Sequence, residues 1–410
     1  MAWVLIILLA LMAVSFLLLK IGDLFSPWMI TTLVWLAILI LFQFSGNLLY
    51  PLQSRFYTCV IIWVLLMSAT SIITYYAFPS AKELCQSEND IDIARDIHVN
   101  ELFYMMFFTI SMVCTPLYVY NIYKVISMFG TQDIFFNLRI FASAGEKDML
   151  QTLLIYVNAI NQALFIIEMW RYPNGNKWRF IAIILASFMC AVAIMEKGAL
   201  FFMLTVSLFI LYEKGHIKIR TIILWGIILL FTFHGINQMR TSENTVREST
   251  FLDFFNVYVM SPSVAFERVQ EKLTEQYGSR SFAFFYAVIT RLGLGQFVVE
   301  PKLQEFSQVP MFTNVYTVFQ PFFEDFGYKG IAFFSTVYGV FTGWLYRQCR
   351  NGGAISKCMY AYIVEILVLQ FYQENLILSL SMLVQYLFVF FFVLQRRIGV
   401  TFNTNYYGAK

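Results

Sequence analysis

The chain has 410 residues, of which 59% are hydrophobic and 13% are charged, and its formal net charge is +3. Because soluble domains carry about 25% charged residues, this composition excludes an ordinary soluble protein and indicates a polytopic membrane protein. The small net charge gives no indication of nucleic acid as a partner. The six cysteines have neither metal-binding nor redox spacing, so no metal and no other cofactor is expected.

Hydrophobic runs of roughly 20 residues predict about eleven transmembrane helices. In chain order they are 2–19, 28–45, 57–78, 102–123, 149–168, 180–195, 198–212, 221–237, 326–345, 358–373 and 376–395. No internal repeat or linker divides them, so residues 1–410 are predicted to form a single all-α, membrane-embedded domain. No basic region precedes the first run, which is therefore expected to be a retained span rather than a signal peptide.

The longest stretch between predicted spans is residues 238–325, which contains most of the polar side chains expected outside the membrane. A long loop between spans is usually functional or disordered, and the many Phe and Tyr residues here argue against disorder. Its segments Phe251–Phe266 and Phe282–Leu294 are predicted to form short amphipathic or re-entrant helices. We therefore predict that this loop covers the active site of a membrane enzyme.

Basic residues concentrate in a few short loops, which predicts the orientation of the chain in its membrane. The basic segments are 171–179, 213–220, 347–357 and the tail that begins at Arg396. The positive-inside rule assigns them to the cytoplasm. The long loop and the N-terminus then lie on the opposite side, which is the periplasm if the membrane is a bacterial inner membrane.

A lysine lies where two short spans meet. The runs 180–195 and 198–212 predict a helical hairpin with Glu196 and Lys197 at its tip. Each arm is shorter than a full span of about 20 residues, so Lys197 is expected at or below the membrane surface, where a charge marks a candidate functional site. The alternative is a lysine that snorkels to water beside a neutralising Glu196.

Other polar residues in or near the spans have two interpretations each. Glu374, in the turn before the last span, faces the side of the long loop and is either a general base or a solvated turn residue. Glu365, inside the tenth span, is expected to pair within the bundle or to stay protonated. Asn158, Asn161 and Gln162 share one face of the fifth span, where they either bond neighbouring helices or line a cavity.

The charges of the long loop do not form an anion funnel, because seven Lys and Arg residues stand against ten Asp and Glu residues. Single arginines still bind phosphate well through their planar, forked donors. The three histidines form no cluster, and no HExxH, GxSxG or Walker sequence occurs. Metalloproteolysis and nucleotide-driven chemistry therefore lack support.

The stretch 310–346, PMFTNVYTVFQPFFEDFGYKGIAFFSTVYGVFTGWLY, resembles the Wzy-type oligosaccharide repeat-unit polymerases, or O-antigen polymerases. These carry a Thr-Asn-x-Tyr-Thr segment, then Asp-Phe-Gly and a Gly-containing span that ends in Leu-Tyr. The matching residues here are Thr313, Asn314, Tyr316, Thr317, Asp325, Phe326, Gly327, Gly330, Leu345 and Tyr346. The segments 258–269 and 23–35 are also similar, so the resemblance extends from about Asp23 to Gln395.

The resemblance implies an enzyme that joins lipid-linked oligosaccharide units on the periplasmic face of the bacterial inner membrane. The growing chain on undecaprenyl pyrophosphate is the donor, and the non-reducing end of a newly flipped unit is the acceptor. Undecaprenyl pyrophosphate leaves and the glycosidic bond forms with inversion, without a metal, as in other lipid-donor glycosyltransferases of the GT-C type. A chain-length-determining co-polymerase is implied as a partner. The sugars and their linkage do not follow from the sequence.

The related O-antigen ligases imply which cations would bind the donor pyrophosphate. Ligases have Ser-Arg-Gly-Ala at a hairpin tip, and Glu196-Lys197-Gly198-Ala199 is similar, with Lys in place of Arg. A later ligase arginine precedes Gly-x-Gly, which implies Arg280 and Arg291 here. Arg240, just past the eighth span, is expected at nearly the level of Lys197. These four residues are the predicted pyrophosphate contacts.

The resemblance implies fewer of the residues that would bind and activate the acceptor sugar. Asn314 and Tyr316 are the predicted sugar-binding residues, because they belong to the family-like segment. Glu374 is the predicted base and Asp325 the reserve, although a carboxylate at the start of a span also stabilises a helix N-terminus. Ligases have His-Asn-x-Tyr, where this chain has Thr313. A ligase is therefore the enzymatic alternative, and a lipid-oligosaccharide flippase or transporter is the alternative outside enzymes.

Overall fold

Helices dominate the structure. The computed structural model describes residues 1–44, 49–79, 97–127, 134, 137–138, 149–195, 197–239, 255–271, 276–300, 304–310 and 312–395. Of the residues that the structure describes, 75% are helical and 1% lie in strands. Long apolar runs form helices because in lipid every backbone N–H and C=O needs a partner within its own segment. The all-α prediction is therefore confirmed.

The helices follow the predicted apolar runs closely. Up to the long loop they are α1 (Ala2–Leu18), α2 (Pro27–Phe44), α3 (Ser54–Ala77), α4 (Glu101–Ser127), α5 (Met149–Leu154), α6 (Val157–Arg171), α7 (Lys177–Ala193), α8 (Lys197–Glu213) and α9 (Ile219–Met239). Beyond it they are a π-helix (Asn256–Met260), α10 (Ser261–Phe266), α11 (Ala283–Arg291), α12 (Gln320–Arg350), α13 (Ala354–Val368), a 3₁₀ turn (Leu369–Phe371) and α14 (Leu380–Leu394).

Six of these helical stretches are long and apolar enough to cross a membrane, which indicates a membrane protein. They are Pro27–Phe44, Ser54–Ala77, Glu101–Ser127, Met149–Arg171, Ile219–Ile236 and Ala354–Phe371. The helices α1 and α14 are apolar but shorter, and α7 and α8 have 17 residues each. Every predicted span overlaps a described helix, but the number of eleven crossings stays a prediction.

The centre of the bundle is the contact between α3 and α12. Gly339 and Gly343 lie four residues apart on the face of α12 that meets α3. A Cβ at Gly339 would lie 2.6 Å from the carbonyl oxygen of Met67, and one at Gly343 would overlap the carbonyl of Ser71. Small residues at this spacing let two helix backbones approach closely, which is how membrane helices gain packing energy.

The predicted basic loops meet at one end of the bundle, the basic end. Lys214 Nζ donates to the carbonyl oxygen of Tyr172, and Arg350 Nη1 lies 2.8 Å from Glu213 Oε2. These contacts bring together the segments 171–179, 213–220 and 347–357. The tail from Arg396 lies outside the described residues. The prediction that these loops share one side agrees with this arrangement, and their assignment to the cytoplasm stays a prediction.

The described part of the long loop, residues 255–271, 276–300, 304–310 and 312–319, packs on the opposite end and is called the cover. Glu267 Oε1 accepts hydrogen bonds from the amides of Gln53 at 3.0 Å and Phe56 at 2.9 Å. Helix α3 begins there and ends at the basic end, where Arg347 Nε donates to the carbonyl of Phe78 at 2.9 Å. The cover and the basic end therefore lie at opposite ends of α3.

Short helices are the main elements of the cover, as the sequence predicts. They are the π-helix, α10 and α11. The sequence did not predict strands, yet Ser307–Gln308 (β1) and Phe312–Thr313 (β2) form an antiparallel pair in which Ser307 faces Thr313. This pair is only two residues long on each side, so it closes a turn rather than building a sheet.

Helix α12 starts earlier than the predicted span at 326. It begins at Gln320, directly after the cover, and kinks at Gly327, where φ is 59° and ψ is −145°. Glycine alone adopts this backbone without strain, and a Cβ there would also lie 2.5 Å from Glu271 Oε1. The helix after this kink starts close to the predicted position 326, and Asp325 lies two residues before Gly327, in the short helical segment that precedes the kink.

The polar face of the fifth span bonds helices to one another. Asn161 is fully buried; Ser111 Oγ donates to its Oδ1 at 2.5 Å, and its Nδ2 donates to Thr115 Oγ1 at 2.9 Å. Gln162 Oε1 accepts from the hydroxyl of Tyr386. These bonds join α6 to α4 and to α14, so the helix-bonding interpretation describes Asn161 and Gln162.

Candidate functional site

Lys197 is buried where the α7–α8 hairpin meets the cover. It is the first residue of α8 and only 8% exposed. Met195, with φ of 48°, makes the tight turn before it. The ammonium lies 3.9 Å from the centroid of the Tyr258 ring, in the π-helix of the cover. This burial argues against a lysine that snorkels to water, and Glu196 lies outside the described residues.

The position of Lys197 suits an anionic ligand for two reasons. The first turn of a helix has amide N–H groups without intrahelical partners, and the helix dipole is positive there. A lysine ammonium at the same point adds a full charge, and helix N-termini of this kind bind phosphate groups. Tyr258 can stabilise the buried cation through the negative face of its ring. The tip of the hairpin therefore combines a cation, helix amides and an aromatic ring.

The π-helix that carries Tyr258 has a local cause in the sequence. Pro262 lies in the first turn of α10, two residues after the π-helix ends. Proline has no amide hydrogen, so the regular helical hydrogen-bond ladder is interrupted at this point. The wider π-turn is a common adjustment inside helices and often occurs at functional sites. Tyr258 is the central residue of this π-helix.

Arg280 lies in a different environment from Lys197. Its Nε is 2.7 Å from Glu324 Oε2 and its Nη1 donates to Gln304 Oε1 at 2.5 Å. Gln320 Nε2 donates to both of these acceptors, at 3.0 Å to Glu324 and 2.9 Å to Gln304. All of these groups connect the cover to the start of α12. The contacts favour a structural role for Arg280, while its predicted binding of pyrophosphate stays a prediction.

The other two predicted cations are Arg291 and Arg240. Arg291 is exposed in the last turn of α11. Arg240 lies outside the described residues. Among the three predicted pyrophosphate contacts that the structure describes, Lys197 and Arg280 are buried; Arg280 is paired with Glu324, whereas Lys197 lies at a helix N-terminus against Tyr258.

Glu374 is held by four donors rather than by solvent. It is 2% exposed, and its Oε1 accepts from the amides of Leu376 and Ile377, both at 2.8 Å, and from the hydroxyl of Tyr338. Its Oε2 accepts from the amide of Leu378 at 2.7 Å. The interpretation as a solvated turn residue is wrong. This geometry fixes the turn before α14, and the role of general base stays a prediction.

Asp325 bonds the amides that precede α11. Its Oδ2 accepts from the amide of Ser281 at 2.7 Å and its Oδ1 from that of Arg280 at 3.4 Å. Burial raises the pKa of the Asp325 carboxyl, and the hydrogen bonds from Ser281 and Arg280 oppose that effect. The carboxyl therefore connects two segments of the cover end, rather than stabilising the N-terminus of its own helix as predicted.

The two predicted sugar-binding residues lie in the segment between β2 and α12. Tyr316 is half-buried, and its hydroxyl donates to the carbonyl oxygen of Glu305 at 3.0 Å. Burial raises its pKa. Asn314 is likewise only partly buried. Both side chains therefore keep some accessible surface, whereas Thr313 is 5% exposed and accepts a hydrogen bond from the amide of Val315 at 3.3 Å.

Three partners in this region were not identified from the sequence. Glu324 pairs with Arg280, Tyr338 donates to Glu374, and Tyr258 contacts Lys197. Glu324 could have been identified from the sequence, because it lies four residues after Gln320 and side chains at this spacing are neighbours on a helix. Tyr338 could not have been, because it lies in an apolar helical run. Among the residues described, no group of three His, Cys, Asp or Glu side chains is arranged to hold a metal.

Comparison with protein-family models, with curated proteins and with solved structures finds no match. The fold and the site define the class of the protein. It is a helical membrane protein whose folded polar segment packs on one end of the bundle and covers a buried lysine at a helix N-terminus.

Proposed function

We propose that the protein is an O-antigen polymerase, an inverting glycosyltransferase of lipopolysaccharide biosynthesis in the bacterial inner membrane. The observation that carries the proposal is Lys197, buried at the first turn of α8 beneath the cover. A pyrophosphate on a lipid lies close to the apolar boundary of the membrane. A cation that meets it must lie at that depth, and the shortness of the α7–α8 hairpin supports such a depth for Lys197.

The proposed reaction transfers the growing glycan from undecaprenyl pyrophosphate to a new lipid-linked unit. The acceptor hydroxyl attacks the anomeric carbon, the bond from that carbon to the pyrophosphate oxygen breaks, and undecaprenyl pyrophosphate leaves. The ammonium of Lys197 and the first amides of α8 stabilise the charge that develops on the leaving group. The polyprenyl chain remains among the apolar helices.

A base must take the proton of the acceptor hydroxyl. Glu374 and Asp325 are the candidates, and both are engaged by donors: four for Glu374 and two backbone amides for Asp325. Either carboxylate would have to exchange one of these donors for the acceptor hydroxyl. Asn314 and Tyr316, which keep accessible surface in the cover, are the proposed contacts with the acceptor sugar.

The test is a gel of lipopolysaccharide from a deletion strain complemented with wild-type or variant chains. A polymerase loss leaves lipid A–core bearing a single repeat unit, so the deletion and Lys197→Ala should both give that band. Lys177→Ala, an exposed lysine at the basic end, is the matched control and should restore the full ladder. Bare core in the deletion strain would instead indicate the ligase or the flippase and would overturn the proposal.

A further inference from the structure

We propose that Tyr258 is a positioning residue that holds the Lys197 ammonium in place for a lipid-linked pyrophosphate. This inference rests on the proposed function, because it names the residue that prepares the same cation for its ligand. It also means that the cover takes part in donor binding, since Tyr258 belongs to the cover and Lys197 to the bundle.

The first step of the argument is the cost of burying Lys197. The residue is 8% exposed, so its charge has lost most of its contact with water. It also begins a helix, where the dipole repels a cation. A tyrosine ring face attracts a cation within about 6 Å, most strongly when the cation is desolvated. The distance of 3.9 Å from the ammonium to the ring centroid meets that condition.

The second step is the kind of contact that the ring makes. An ammonium has three N–H donors and no acceptor. A ring face stabilises the positive charge as a whole and does not replace the oxygens of an anionic ligand. Tyr258 can therefore fix the direction of the Lys197 side chain while leaving it chemically suited to a pyrophosphate.

The third step is the rigidity of the support. Every residue of α10, which follows the π-helix, is buried. Phe266 at its end packs on Phe319 and on Phe323, with ring centroids 5.5 Å apart in each case. Through these rings the π-helix is fixed against the start of α12. The backbone segment that carries Tyr258 therefore adjoins a packed helix, so the tyrosine can impose a position on the more flexible lysine.

The kinetic test uses the purified full-length protein and a defined lipid-linked repeat unit. Tyr258→Leu removes the ring and should lower kcat/KM for the donor about tenfold, a change equivalent to the loss of one desolvated cation–π contact. Tyr258→Phe keeps the ring and should stay within about twofold of the wild-type rate. Tyr277→Leu, at an exposed tyrosine of the cover, is the matched control and should be unchanged. A Tyr258→Leu protein with wild-type kcat/KM would overturn the inference.

A second measurement needs no polymerisation. The thermal midpoints of the wild type, Lys197→Met, Tyr258→Leu and the double variant form a cycle that isolates the contact. We expect the double variant to lose less than the sum of the two single losses, and strictly additive losses would contradict the contact. Undecaprenyl pyrophosphate should raise the midpoint of the wild type and of Tyr258→Phe more than that of Tyr258→Leu.

These two measurements separate the possible failures. A wild type that is stabilised by undecaprenyl pyrophosphate through Tyr258, yet does not polymerise, would contradict the proposed function and support the positioning role. A wild type that polymerises with no dependence on Tyr258 would contradict only the positioning role. A wild type that neither polymerises nor responds to the lipid pyrophosphate would overturn both.

Discussion

Arg280 Nε lies 2.7 Å from Glu324 Oε2, so an ion pair joins the cover to the N-terminal part of α12. Both side chains are almost fully buried. Removing one partner of a buried pair leaves an uncompensated charge, which typically costs about 3–5 kcal/mol. We therefore expect Arg280→Met to lower the free energy of unfolding by an amount of that order, measured by denaturant titration in detergent.

The double variant Arg280→Met/Glu324→Met should recover most of that stability, because two apolar side chains can replace a buried ion pair at little cost. Arg291→Met, an exposed arginine in the same loop, should change the stability by less than about 0.5 kcal/mol. If Arg280→Met and Arg291→Met behaved alike, the ion pair would not hold the cover.

Lys197→Ala tests the leaving-group cation directly. Loss of one preorganised donor to a developing negative charge costs about 2–4 kcal/mol in the transition state, which corresponds to a rate decrease of about 30- to 1,000-fold. The polymer should therefore be absent or very short. Lys197→Arg keeps the charge and should retain much of the activity. Purified Lys197→Ala protein that polymerises at the wild-type rate would refute this role.

Glu374→Gln separates the catalytic role from the structural one. The amide keeps only one acceptor oxygen, so at least one backbone amide at Leu376, Ile377 or Leu378 loses its partner. An unsatisfied buried donor costs about 1–3 kcal/mol. Tyr338→Phe is the matched control, because it removes one donor from Glu374 but leaves the carboxylate. If Glu374 is the base, only the Gln variant should lose polymerisation while both remain folded. Normal ladders from the Gln variant would transfer the role to Asp325.

The raised pKa of Asp325 predicts that the stability of the folded protein depends on pH. Burial raises this pKa above its ordinary value of 3.8, so the folded state binds the proton more tightly than the unfolded state does. The resulting stability is fully present below pH 3.8 and is lost as the pH rises through the folded-state pKa. The thermal midpoint of the wild type should therefore fall relative to that of Asp325→Asn as the pH increases. Parallel curves for the two proteins would contradict this expectation.

Two exposed positions at opposite ends of the bundle test the orientation. Tyr277 in the cover is 74% exposed, and Lys177 at the basic end is exposed as well. A membrane-impermeant thiol reagent should label Tyr277→Cys from the periplasm in intact inner membranes, and Lys177→Cys only after they are permeabilised. The wild type serves as the background for its own cysteines. The reverse pattern would invert the predicted topology.

The helices and the hairpin tip could be predicted, because hydropathy and span length are read from one continuous stretch of sequence. Partners distant in the sequence could not be predicted in the same way. Glu374 was expected in solvent because its turn is short and polar, yet Tyr338, 36 residues earlier, donates to it from inside an apolar helix. The part of α12 after Gly327 starts close to the predicted position, whereas hydropathy did not detect the helical turns between Gln320 and Gly327.

The capping of α3 by Glu267 has a consequence for biogenesis. Gln53 and Phe56 leave the ribosome long before their hydrogen-bond acceptor, since Glu267 follows Gln53 by 214 residues. Until then, the first amides of α3 depend on water at the membrane surface. A long-range contact of this kind closes late in folding, because a large loop must be ordered first. A chain truncated at any point between the end of α3 and Glu267 therefore contains the whole of α3 but lacks the residue that caps its N-terminus.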